Sequence, residues 1–130
     1  MPLVRIEMRK GKTPEYKKAL LDGVHAALVE AFRIPDGDRI QRLYESEPEN
    51  LEISSNKTED FVLIELTVFK GRSLEAKRNL YRSIIANLGK NPGIKAGDIL
   101  IVINEPPLEN WGVMGGLPAS EADIGFDINV

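Results

Sequence analysis

Residues 10–28, KGKTPEYKKALLDGVHAAL, align without a gap on residues 70–88, KGRSLEAKRNLYRSIIANL, sixty positions later. Lys10/Lys70, Gly11/Gly71, Glu15/Glu75, Lys17/Lys77, Leu20/Leu80 and Leu28/Leu88 coincide. The register continues past this segment: the stretch from Ile34 to Asp38 meets the stretch from Ile94 to Asp98, with Gly37 on Gly97. Self-similarity over so long a span marks two copies of one supersecondary unit.

Each copy reads as strand, helix, strand. Val4, Ile6 and Met8 alternate with Leu3, Arg5 and Glu7, and Val62, Ile64, Leu66 and Val68 repeat the pattern, the period of a strand with one face on a core. Thr13 offers an N-cap with Pro14 at the first helical position, and Leu20, Val24, Ala27, Leu28 and Ala31 form a helical stripe. Ser73 and Glu75 start the second helix, whose stripe is Ala76, Leu80, Ile84 and Leu88, closed by Gly89 and Pro92. Strands follow at 39–45 and 98–104. The last of them, DILIVIN, is apolar on both faces and is expected to be covered on both.

These elements predict an α+β fold: duplicated βαβ units forming a four-stranded mixed sheet with two helices on one face. The whole chain, 1–130, is expected to be a single domain, with repeat halves at about 2–45 and 62–104 and a C-terminal tail at 105–130. Ser46 to Asp60 reads as an acidic loop or short hairpin. Two helices cover one sheet face only, so the other predicts a homo-oligomer. In the tail, Phe126, Ile128 and Val130 alternate as an edge strand against a neighbouring subunit would.

Composition narrows the function. With 17 basic and 20 acidic side chains the net charge is -3, which gives no broad attraction to nucleic acid or anionic membrane and leaves small molecules, anionic ones included, open as ligands. The strands also lack the aromatic stacking pair of an RNA-binding sheet. Cysteine is absent, which removes thiol chemistry and suits a reducing compartment; a cytoplasmic location is expected. The first twelve residues alternate and carry charge, so neither a signal peptide nor a membrane span is read there. His25 lies off the main apolar stripe, a surface or packing residue with no second histidine to pair on a metal. The Lys-Gly dipeptides are too short for phosphate loops, and neither a metal nor a cofactor is expected.

The chain begins Met1-Pro2, and trimming of the initiator would leave Pro2 with a free secondary amine. Such an amine titrates near neutral pH, and a nearby cation or an apolar wall lowers it further, toward the range of an effective general base. The connectivity gives it company. Parallel strands joined by a helical crossover start at the same end of the sheet, which places Asp38 beside Pro2. If the halves pair antiparallel through their first strands, Phe69, Lys70 and Arg72 arrive at the same rim. The other half gathers Val62, Asp98 and Lys12, where the chain is continuous and no free amine exists.

Each of these residues has a plainer reading. Asp38 recurs as Asp98, so a turn hydrogen bond explains both as well as catalysis explains one. Arg72 precedes the cap Ser73 and is either a solvated loop charge or an anion ligand. Trp111, the only tryptophan, either walls a pocket or anchors the tail.

Together, Met1-Pro2-Leu3, Ala31-Phe32, Pro35 to Arg39, Leu66-Thr67-Val68, Arg72-Ser73 and Asn110-Trp111-Gly112 resemble the tautomerase superfamily of N-terminal-proline enzymes. The likeness spans essentially the whole chain and is nearest to the fused members of malonate semialdehyde decarboxylase and 4-oxalocrotonate tautomerase type. The resemblance implies a homotrimer and a catalytic amine on Pro2, with Asp38 and Arg72 as its catalytic partners. Lys70, Trp111 and Phe126 are the expected substrate-binding residues. The decarboxylase has two arginines after the third strand, whereas the turn Phe69-Lys70-Gly71-Arg72 is one residue shorter and supplies only Arg72.

The expected activity is therefore keto-enol tautomerisation of small 2-oxo acids with Pro2 as general base. Decarboxylase, hydratase or dehalogenase chemistry with a protonated Pro2 as acid is the alternative. A non-enzymatic ligand-binding or signalling oligomer is a third reading, separable by substituting Pro2.

Overall fold

The structure is a computed structural model that describes residues 1–130. Strand β1 (Pro2–Arg9) leads to helix α1 (Pro14–Phe32) and strand β2 (Ile40–Ser46); strand β3 (Val62–Val68), helix α2 (Leu74–Lys90) and strand β4 (Ile99–Asn104) repeat the unit. The sheet order is β2-β1-β3-β4. β1 and β2 run parallel, as do β3 and β4, and the halves join through antiparallel β1 and β3, with Pro2 opposite Val68 and Met8 opposite Val62. This is the expected four-stranded mixed sheet.

The helix starts obey their local chemistry. Thr13 Oγ1 accepts from the Tyr16 amide and Ser73 Oγ from the Ala76 amide, each at 3.1 Å, satisfying amides that the first turn leaves free. α1 stops at Arg33, in the left-handed region at φ 55°, whose N–H returns to the Val29 carbonyl. α2 runs one residue beyond Gly89 and is capped by Asn91.

The alternating residues of β1 and β3 face the helices. Val4, Ile6, Met8, Val62, Ile64, Leu66 and Val68 are buried with the four-residue stripe of α2 and with Leu20, Val24, Ala27, Leu28 and Phe32 of α1. His25, which the apolar stripe omitted, is buried too. The helices pack closely at Gly23, where a Cβ would stand 2.8 Å from Leu88 Cδ2. No helix is long and apolar enough to cross a membrane.

Two expectations meet a different outcome in the single chain. β4 is covered on one face only: Ile99, Ile101 and Ile103 are half-buried, whereas Leu100 and Val102 are 51% and 40% exposed. Residues 122–130 form no strand. After a two-stranded hairpin, β5 (Gly112–Val113) and β6 (Leu117–Pro118), the tail folds back on its own chain. Ile128 is buried with Phe69, Trp111 and Ala119 in a small second core, and Ser73 Oγ donates to the Val130 oxygen at 2.8 Å. Gly71, at φ 143°, admits this contact, since a Cβ there would lie 2.9 Å from the Ile128 carbonyl.

Candidate active site

The chain start, the α1–β2 turn, the β3–α2 turn and the tail meet at one end of the sheet. They enclose a cavity of about 450 Å³ lined by Met1, Pro35, Asp38, Phe69, Val113, Met114, Ile124, Gly125 and Phe126. Most of this wall is apolar, and Asp38 is its only charged side chain.

Pro2 is buried as the first residue of β1. Directly before it, the Met1 amine lies 2.9 Å from Asp38 Oδ2. Burial lowers the pKa of that amine below its ordinary value; the hydrogen bond and charge of Asp38 pull it partly back, and the charge of Arg72 lowers it further. The chain start is therefore within the field of one carboxylate and one guanidinium, each delivered by a different turn.

Arg72 is 6% exposed and takes part in no ion pair. Its Nη1 donates to the Phe69 carbonyl at 2.9 Å, its guanidinium stands 4.9 Å from the centre of the Phe32 ring, and its Nε is buried without a partner. Burial pushes its pKa down, opposed by the charges of Glu105, Asp38 and Asp127, and a guanidinium remains charged throughout. A buried cation without a paired anion is costly unless an anion arrives. The side chain lies behind the wall at Phe69 and does not itself line the cavity.

The other expected binding residues separate. Phe126 lines the cavity. Trp111 does not: its ring meets Phe69 edge-on at 4.7 Å, and its Nε1 donates to the Pro106 carbonyl at 3.2 Å, so it backs the wall. Lys70 is exposed and lines no part of the cavity. Val113, Met114 and Ile124 carry no sequence signal of their own, because the part of the tail before Phe126 has neither a strand nor a helix period. The Gly115-Gly116 pair was a signal for the hairpin that presents the first two.

The repeat-related end of the sheet is built differently. Asp98 is buried and accepts from the Thr58 amide at 2.8 Å and from the Thr58 hydroxyl, and Lys12 pairs with Asp60. Asp98 is held below the usual carboxylate range, chiefly by the Thr58 hydroxyl and then by its amide. The segment before β3 thus occupies the place that the chain start occupies in the other half. No group of three or more His, Cys, Asp or Glu side chains suited to a metal is formed.

Comparison with known proteins gives a consistent answer. A family model described as tautomerase enzyme matches residues 38–114, and a second with that description matches residues 2–55. The chain is 34% identical over 117 residues to the probable tautomerase YrdN of Bacillus subtilis (strain 168), covering 85% of this chain and 89% of that one. It is 28% identical to the probable tautomerase YusQ of the same organism, covering 89% and 95%. Among solved structures, a malonate semialdehyde decarboxylase superposes with a TM-score of 0.81 at 26% identity, over 89% of this chain and 93% of that one. A fused 4-OT described as a symmetric trimer has the same fold, with a TM-score of 0.80 at 24% identity over 91% and 96%. With matching models at both ends of the chain and a relative this similar along most of its length, the protein belongs to the tautomerase family.

Proposed function

We propose that the chain, once Met1 is removed, interconverts the keto and enol forms of small 2-oxo acids with the Pro2 amine as general base. The observation that carries this reading is the placement of the chain start: the Met1 amine, one residue before Pro2, lies at the wall of an apolar cavity, 2.9 Å from Asp38 and in the field of Arg72.

The neutral Pro2 amine takes the proton alpha to the substrate carbonyl, and the enolate that forms carries its charge on oxygen. The resulting ammonium returns the proton to that oxygen, giving the enol; the reverse sequence restores the ketone. From behind the Phe69 wall the charge of Arg72 acts on the substrate carboxylate and the developing oxyanion at a distance, through its field rather than by direct contact. Its unpartnered Nε and its lack of an ion pair favour that role. Asp38 orients the amine and offsets the effect of Arg72 on its pKa. Phe126 and Phe69 supply apolar walls that exclude water, and Trp111 supports Phe69. The scheme uses no cofactor or metal.

A second reading has Pro2 protonated and acting as an acid in decarboxylation or hydration. The carboxylate of Asp38, by favouring the ammonium, is the feature that supports it. The solved relative whose described activities are decarboxylase and hydratase shares this fold.

The working form is proposed to be a homotrimer assembled through the sheet face opposite the helices. Ile40 and Tyr44 of β2, 45% and 43% exposed, lie on that face with Leu100 and Val102. Large apolar side chains on one open sheet face suit burial against further copies.

Intact mass together with an assay of Pro2→Ala on an enolisable 2-oxo acid tests the reading. A mass lacking the initiator and a loss of at least about tenfold in kcat are expected for a general base. Retained methionine in active protein, or undiminished turnover by the variant, would overturn it.

A further inference from the structure

His25 is buried, 5% exposed, yet it belongs to neither the apolar core nor the cavity wall. Its Nε2 lies 2.8 Å from the Asp36 carbonyl oxygen. A carbonyl only accepts, so Nε2 carries the hydrogen and donates it. The Asp36 side chain is exposed, and its Oδ1 is 3.5 Å from the same nitrogen. The contact therefore fastens the backbone of the turn that joins α1 to β2, two residues before Asp38.

The duplicated half provides an internal control. At the position of His25 it has Ile85, and at the position of Asp36 it has Ala96. In both halves the aspartate amide closes on the carbonyl three residues back: Asp38 to Pro35 at 3.0 Å and Asp98 to Lys95 at 2.9 Å. The halves diverge at the next bond. The Ala96 carbonyl accepts from the Ile99 amide, winding 96–98 into a 3-10 turn, and Asp98 is directed into the protein onto Thr58. The Asp36 carbonyl is taken by His25, no bond from the Arg39 amide reaches it, and the turn stays open after Gly37. Asp38 then faces the chain start, and Pro35 and Asp38 both line the cavity. The histidine occurs only in the copy that holds the amine.

We propose that His25 is a positioning residue, which by occupying the Asp36 carbonyl holds the 34–38 turn in the open form that presents Asp38 to Pro2. It acts through Asp38 and touches no substrate. The inference rests on the reading of Pro2 as the base and Asp38 as the group that orients it, so its test includes a readout that does not depend on activity.

The experiment compares His25→Leu, which removes the donor, with His25→Gln, whose amide restores one at similar reach. Amide hydrogen exchange at Asp38 is followed beside kcat and KM, alone and in an Asp38→Asn background. For His25→Leu the expected results are exchange at Asp38 faster by about tenfold or more and a kcat lowered by a similar factor, as loss of orientation produces. His25→Gln is expected to return both to within about threefold of wild type. In the Asp38→Asn background His25→Leu is expected to change kcat no further, since its effect passes through that carboxylate. If the Leu variant does not fold, His25→Met, unbranched and without a donor, makes the same comparison against His25→Gln. Unchanged Asp38 exchange on loss of the donor, no recovery with Gln, or a full additional loss in the Asp38→Asn background would each overturn the proposal. Failure of Pro2 as the base would leave the exchange result standing.

Discussion

Thr58 gives both its amide, at 2.8 Å, and its hydroxyl to the buried carboxylate of Asp98. That pair closes the end of the sheet equivalent to the candidate site, fastening the loop before β3 to the turn before β4. Replacing Thr58 by Val removes the hydroxyl and strands part of a buried carboxylate, with an expected loss of about 1–3 kcal/mol. The sign with pH follows from the lowered Asp98 pKa. A carboxylate whose folded pKa is depressed contributes stability above its unfolded value, and that contribution is lost as pH falls through the folded value. Urea melts of wild type and Thr58→Val should therefore differ most near neutrality and converge only as pH falls below the ordinary carboxylate range.

The tail is a wall held by two small contacts. Gly71 lies against the Ile128 carbonyl, and Ser73 donates to the Val130 oxygen while capping α2. Gly71→Ala forces a methyl into a 2.9 Å gap at a backbone angle that alanine resists. Because Ile124 and Phe126 belong to the same segment, its displacement opens the cavity. Steady-state kinetics should show KM raised by about tenfold for Gly71→Ala and for Phe126→Ala, with kcat less affected, as when apolar binding surface is lost.

Leu100 and Val102 face away from the helices on an edge strand. Light scattering on the wild type should give three times the 14.5 kDa chain mass. Leu100→Glu combined with Val102→Lys places charge on the proposed interface and should shift the protein to monomer at micromolar concentration, while circular dichroism keeps its helical content.

Arg72 and Asp38 act on the chain-start amine with opposite signs. Arg72→Met removes a contribution that lowers the amine pKa, so the basic-form limb of the kcat/KM profile should move to higher pH. Loss of its charge behind the wall should also reduce the plateau by roughly tenfold. Asp38→Asn removes contributions that raise the amine pKa, and the same limb should move to lower pH.

The repeat made much of the fold legible. A gapless match between residues 10–28 and 70–88, flanked by alternating strands, implies the βαβ pairs, and the α2 stripe of Ala76, Leu80, Ile84 and Leu88 is buried as its spacing predicts. Asp38, Phe69 and the chain start could be brought together from topology, because strand ends are fixed by crossovers rather than by side chains. The tail was harder. Its alternating Phe126, Ile128 and Val130 imitate a strand, but the partner is a turn of the same chain, and period alone does not say what an element packs against. Nor does His25 announce itself. Its hydrogen bond runs to a backbone carbonyl eleven residues away, which no side-chain pattern encodes.

The central claim is that Pro2, freed of Met1, works as a neutral amine at physiological pH. Titration of a ¹⁵N-labelled Pro2 amine by NMR, beside the pH dependence of kcat/KM, tests it most directly. The account predicts an amine pKa below its ordinary chain-terminal value and a rate that rises as the same group loses its proton. A terminus still carrying methionine in active protein, or an amine that stays protonated across the pH range where the enzyme is fully active, would contradict it.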